Sequence, residues 1–64
     1  MTVTVIDVYD ADGNMKRIEA YEESGNHIAD FLWDEHDEQT SEKRIEFRGW
    51  VNHFLKQKGY EVHE

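Results

Sequence analysis

The sequence predicts an α+β protein of element order β-β-α-α-β, an N-terminal hairpin and a short C-terminal strand forming a small sheet packed on two helices. Three observations lead there. Residues 2–9 are dense in β-branched side chains (Thr2, Val3, Thr4, Val5, Ile6, Val8), which favour extended backbone. A turn sequence, Asp10-Ala11-Asp12-Gly13-Asn14, follows at once. Two later segments, 26–38 and 40–58, carry apolar residues at helical spacing.

The first strand breaks its alternation midway. Val3 and Val5 share one face and Ile6 and Val8 the other, which calls for two partly covered faces or a bulge near Val5. In the turn, Asp10 opens the loop and Gly13 supplies the positive φ that closes it. A second strand then runs to about Glu22, with Ile18 and Ala20 facing one way. Counted from Val8, residues Asp10, Asp12, Gly13 and Glu19 fit positions of a calcium-binding loop. The leading position, normally Asp, is Val8, and the flanks read as strand rather than helix, so the hairpin turn is the preferred reading.

Residues 22–25 end the hairpin, and Ser24 or Asn26 is placed to cap a helix over about 27–37. On that helix Ile28, Phe31 and Leu32 form an apolar stripe, while Asp30, Asp34 and Asp37 form a ladder on the opposite side. Asp34, Glu35, Asp37 and Glu38 then crowd the negative pole of the helix dipole, where cations would be favoured by about 0.3–1 kcal/mol each. Thr40 or Ser41 caps a second helix to about Lys58, whose broad apolar face joins Phe47, Trp50, Val51, Phe54 and Leu55. Ile45 lies opposite that face and Gly49 sits within the helix. They leave room for another element behind it, or else mark 44–48 as a short strand; the longer helix is preferred. Gly59 supplies the C-terminal cap, and residues 60–62 read as a third strand.

Sixty-four residues bound the chain to one small domain, 1–64, without repeats or linkers. A domain of this size buries only about 60% of the surface that its unfolded chain exposes. Cysteine is absent, so no disulfide or thiolate metal site braces it. No apolar run is long enough for a signal peptide or a membrane helix, and a soluble, cytoplasmic protein is expected.

Charge carries most of the functional information. The net charge is −8, and it is uneven: residues 1–42 hold twelve acids against two bases, a net of −10, and residues 43–64 hold five bases against three acids. Such a surface repels phosphate, which argues against direct binding to nucleic acid or to an anionic membrane. Solubility alone would also explain a moderate net charge. Concentration of the acids into one segment favours a basic protein surface as the partner.

The candidate partner-binding residues are Asp30, Trp33, Asp34, Asp37 and Glu38. The four acids would stand in for phosphates, and Trp33, beside the acidic stripe, would anchor, as tryptophan does in many interfaces. Trp50, on the broad apolar face, is expected in the core. His27, His36, His53 and His63 form no i, i+4 pair, so no metal site is expected. No nucleophile elbow, phosphate loop or catalytic cysteine is present, so no enzymatic activity and no cofactor is expected.

Tiny size, strong acidity, missing cysteine and exposed aromatic candidates are the profile of small inhibitors carried by phages and mobile elements, among them anti-defence proteins, an analogy of class and not of motif. The expected function is therefore a small acidic protein-binding inhibitor, a DNA mimic directed at the basic groove of a nucleic-acid-binding protein such as a nuclease, CRISPR effector, polymerase or nucleoid protein. The alternative is a structural module that homodimerises without an inhibitory role.

Overall fold

The computed structural model describes residues 1–63. Its strands are β1 (Thr2–Tyr9), β2 (Met15–Glu22), β3 (His27–Leu32) and β4 (Glu61–His63), and its helix is α1 (Ser41–Gln57). The sheet order is β3-β2-β1-β4. β1 and β2 are antiparallel, as are β2 and β3, while β4 returns parallel to β1 after the helix. The protein is α+β, with one helix on one face of a four-stranded sheet. Among the described residues no helix is long and apolar enough to cross a membrane.

The first hairpin forms as its sequence predicts. Asp10 Oδ1 accepts from the backbone amides of Asp12 and Asn14 at 2.9 and 3.0 Å. Gly13 takes φ 83°, and its amide donates to the Asp10 carbonyl at 3.1 Å. Asp10 thus serves the turn, as the hairpin reading requires.

The expected first helix is the principal correction. Residues 27–32 form β3, and the order is β-β-β-α-β. The cause lies in the preceding turn. Glu22-Glu23-Ser24-Gly25-Asn26 repeats the geometry of Asp10-Ala11-Asp12-Gly13-Asn14. Gly25 has φ 93° and its amide donates to Glu22 O at 2.8 Å, while the Glu22 amide donates to Asn26 O at 2.8 Å. A three-residue loop closed by a glycine of positive φ returns the chain antiparallel, so Ser24 and Asn26 sit in a hairpin and cap no helix. β3 then buries Phe31 and half-buries Ala29 on the inner side, and its Asp30 and Leu32 stand exposed. That is an alternation of two, not of 3.6.

The phase break in β1 also resolves. Pairing with β2 is continuous from Val3 to Val8, so there is no bulge at Val5. Val3 and Val5 point into the core, and Ile6 is exposed on the sheet face that no helix covers. The irregularity lies at Val8/Tyr9, where Arg17 and then Met15 are the partners. Skipping Lys16 there turns Met15 inward, where it is buried.

Helix α1 starts at Thr40, whose hydroxyl accepts from the Lys43 amide at 3.1 Å. It ends in a Schellman pattern: the Gly59 amide donates to Lys56 O at 3.0 Å and the Tyr60 amide to Leu55 O at 3.1 Å. Val51 and Leu55 are its buried residues, packed on Val3, Val5, Ile18, Ala20 and Phe31. Arg48 Nη1 donates to Asp7 Oδ2 at 3.1 Å and pins the helix to β1. Ile45 faces solvent, and a Cβ on Gly49 would meet nothing within 4 Å, so among the described residues no element lies behind the helix.

Two stability outcomes follow. Leu55→Ala is expected to cost about 2–5 kcal/mol, a large share of the stability of so small a domain, as read by urea titration. Gly25→Ala leaves the space free but forces an L side chain into the left-handed region, with an expected cost of about 1–2 kcal/mol.

Candidate functional site: an aromatic stripe beside an acidic loop

Phe47, Trp50 and Phe54 recur at i, i+3 and i+7 on α1, so they form one stripe along the helix. The stripe overhangs β3. Phe31 meets Trp50 edge-on at 5.7 Å and Phe54 edge-on at 5.4 Å between ring centroids. Phe47 lies nearly parallel to Trp50 at 6.3 Å and receives Trp33 edge-on at 5.2 Å. Such offset and edge-to-face pairs contribute about 0.5–1.5 kcal/mol each beyond area burial. Trp50 and Phe54 cover the buried Phe31 and themselves remain exposed.

Trp50 is therefore not a core residue, contrary to expectation: it is 55% exposed. It meets Phe31 edge-on and still leaves more than half of its surface in water. Trp33 is half-buried and packed on the core cluster, with its indole Nε1 donating to the Asp37 carbonyl at 3.3 Å. The two tryptophans have roughly exchanged the roles that helical periodicity assigns them. The missed signal is the spacing of Ala29, Phe31 and Trp33, which places Trp33 on the inner side of a strand.

Beyond β3 the acidic segment 34–38 forms a tight turn. Asp34 Oδ1 accepts from the His36 amide at 3.0 Å, and the Asp37 amide donates to Asp34 O at 3.0 Å. Gln39 closes the segment. Its side-chain amide both accepts from the Met15 backbone amide at 3.1 Å and donates to the Met15 carbonyl at 3.0 Å. It occupies the place of a further strand residue and fixes the acidic turn against β2.

Of the expected site residues, Trp33, Asp34, Asp37 and Glu38 stay together in this one segment. Trp33, Asp34 and Asp37 line a groove of about 340 Å³ with Leu32, Phe47 and Trp50. Glu46 and Lys43 of the helix form its far rim. Asp34, Glu35, Asp37 and Glu38 are exposed, and among the described residues none of them forms an ion pair. Asp30 separates from the set. It lies opposite Glu19 on the open face of the sheet, and its Oδ1 is 2.7 Å from His27 Nε2. The i, i+4, i+7 ladder of acids is not formed, because its first member is on a strand and the others are in a turn.

The open sheet face carries its own polar network. Glu19 sits between Arg17 Nε and the Tyr21 hydroxyl, each donating to it at 2.7 Å. The Tyr21 hydrogen bond, then that of Arg17, holds the Glu19 carboxyl below its usual range. The same bond to Glu19, with partial burial, pushes the Tyr21 phenol up. These groups satisfy one another and leave little unmet capacity for a ligand. Among the described residues no three His, Asp or Glu side chains gather to hold a metal ion.

The chain matches no known family model, no curated protein and no solved structure. The class that its fold and site define is a two-layer α+β protein with an acidic turn bordering an exposed aromatic stripe.

The Glu19–Tyr21 pair gives a direct check of the open face. A lowered Glu19 pKa means stability present above the ordinary carboxylate range and lost as pH falls through the folded-state value. A raised Tyr21 pKa means stability present below about pH 10 and lost as pH rises through the folded-state value. Glu19→Gln should bring the Tyr21 ring titration, followed by NMR, down toward its ordinary value and weaken the acid limb of stability. An unchanged Tyr21 titration would show that the bond does not form in solution.

Proposed function

We propose that this protein is a small acidic inhibitor that binds the basic surface with which a nucleic-acid-binding protein holds phosphate. The observation that carries the reading is the pairing of two features. Asp34, Glu35, Asp37 and Glu38 are exposed and, among the described residues, form no ion pair, and Asp34 and Asp37 border a stripe whose Trp50 is more than half exposed. Exposed carboxylates that form no ion pair attract cations from outside and accelerate encounter. An exposed tryptophan supplies the apolar anchor that charge alone lacks.

The mimicry is of charge rather than of regular phosphate spacing, since the acids follow a turn and not a helix. Trp33, Asp34, Asp37 and Glu38 remain the proposed contact residues, joined by Trp50. Asp30 contributes negative potential from the neighbouring face. Homodimerisation through this surface is disfavoured, because it would bring two sets of uncompensated carboxylates together.

The test is binding to basic nucleic-acid-binding proteins over a salt series, with and without competing duplex DNA. Affinity should fall steeply with salt, and DNA should displace the protein. Asp34→Lys with Asp37→Lys should weaken binding by about tenfold or more at low salt, or about 1.4 kcal/mol. Affinity that is flat in salt and indifferent to DNA would refute the proposal.

A further inference from the structure

We infer that β3 takes an extended basic segment of the partner as a fifth strand of the sheet, with the aromatic stripe gripping its side chains. The inference rests on the binding role proposed above and specifies how the partner is held.

β3 is the end of the sheet, so among the described residues one of its long edges has no neighbouring strand. The Trp33 backbone amide donates to Lys16 O at 3.1 Å, across the same register that pairs Phe31 with Ile18 and Ala29 with Ala20. The period of an antiparallel ladder then turns the N–H and C=O groups of Asp30 and Leu32 outward. The opposite edge, β4, is only three residues long, and short edges recruit strands poorly. β3 has six residues, and no proline or lysine blunts it.

Charge selects the occupant. Asp30 on the strand and the carboxylates of the following turn repel an acidic strand, including a second copy of this chain, and attract lysine and arginine. The side chains of an added strand alternate between the two faces of the sheet. Those on the helix side come beside the exposed Trp50 and Phe54 and into the groove lined by Trp33, Asp34, Asp37 and Phe47, with Lys43 and Glu46 on its far rim. That groove suits a side chain with an apolar stem and a cationic head: the stem lies on the rings and the head reaches the carboxylates. The stripe already holds one such cation, with Lys58 Nζ 5.5 Å from the Phe54 ring centroid. Side chains on the other face come beside Leu32, which is 73% exposed, and Asp30. The occupant is thus an extended protein segment in which cationic and apolar side chains alternate.

The probe is the peptide acetyl-Lys-Val-Lys-Phe-Arg-Val-Lys-amide, added to the full chain and followed by NMR and calorimetry. On binding, amide hydrogen exchange at Asp30 and Leu32 should slow by about tenfold or more, because both amides gain acceptors. Leu32→Pro removes one outward donor at an edge position where proline is tolerated, and should weaken binding by about tenfold. The same chain synthesised with N-methyl leucine at Leu32 keeps the side chain and should behave alike, which guards against loss of fold in the proline variant. Three outcomes would overturn the inference: the peptide does not bind; it binds without protecting those amides; or the free protein protects them by self-association as its concentration rises. Peptide binding that stays salt-sensitive but ignores the N-methyl group would reject strand addition and leave the charge-driven binding role standing.

Discussion

The structure depends on one helix covering one sheet. Val51 and Leu55 of α1 close over Val3, Ile18 and Ala20, all with side chains almost wholly removed from water. A helix is about 10 Å wide, whereas the outermost axes of four strands lie about 14 Å apart. One helix therefore cannot shelter the whole inner face. The shortfall falls at β3, where Phe31 would be open to water. Trp50 and Phe54 make up the difference over Phe31, and Phe47 does so over Trp33, because aromatic side chains reach further from the helix axis than valine or leucine. Their partial exposure is the geometric result of that reach. The surface proposed as functional is thus also a structural necessity, and its chemistry is set by what surrounds it.

What surrounds it is charge. Five carboxylates in residues 30–38 stand at the end of the strand and in the turn beyond it. Asp34 shapes that turn by accepting from the His36 amide. Gln39, by completing the hydrogen bonding of Met15, prevents the turn from drifting away from the sheet. The aromatic stripe and the acids are held together by parts of the fold with separate origins: the helix face, the strand register and a side-chain clamp. The open sheet face differs, because Arg17, Glu19 and Tyr21 satisfy one another there.

Protection of the β3 edge is electrostatic rather than steric. Many natural edges carry proline, an inward charge or a bulge near the centre of the strand. The irregularity here lies at the start of β3, opposite Ala20 and Tyr21, and leaves the rest of the edge straight. On the proposed reading, negative charge repels copies of the same chain while leaving a basic strand free to approach. An edge guarded in this way is selective rather than closed.

The sequence by itself determined those elements whose signals are local. The β-branched run of β1, the Asp10–Gly13 turn chemistry, the Thr40 cap and Gly59 stop of α1, and a strand after Gly59 all follow from side chains acting on their own or adjacent backbone. Grouping of the acids beside Trp33 was legible for the same reason. Residues 27–32 were not, because Ile28, Phe31 and Leu32 fit a helical stripe while Ala29, Phe31 and Trp33 fit a strand. Short apolar runs satisfy both periods. Tertiary structure decided between them: β2 had a second edge whose backbone needed partners, and the Gly25–Asn26 turn delivered the next segment to it. The fate of the two tryptophans was decided there too, since burial on a helix face depends on how far the opposing sheet extends, and that width appears nowhere in the local sequence.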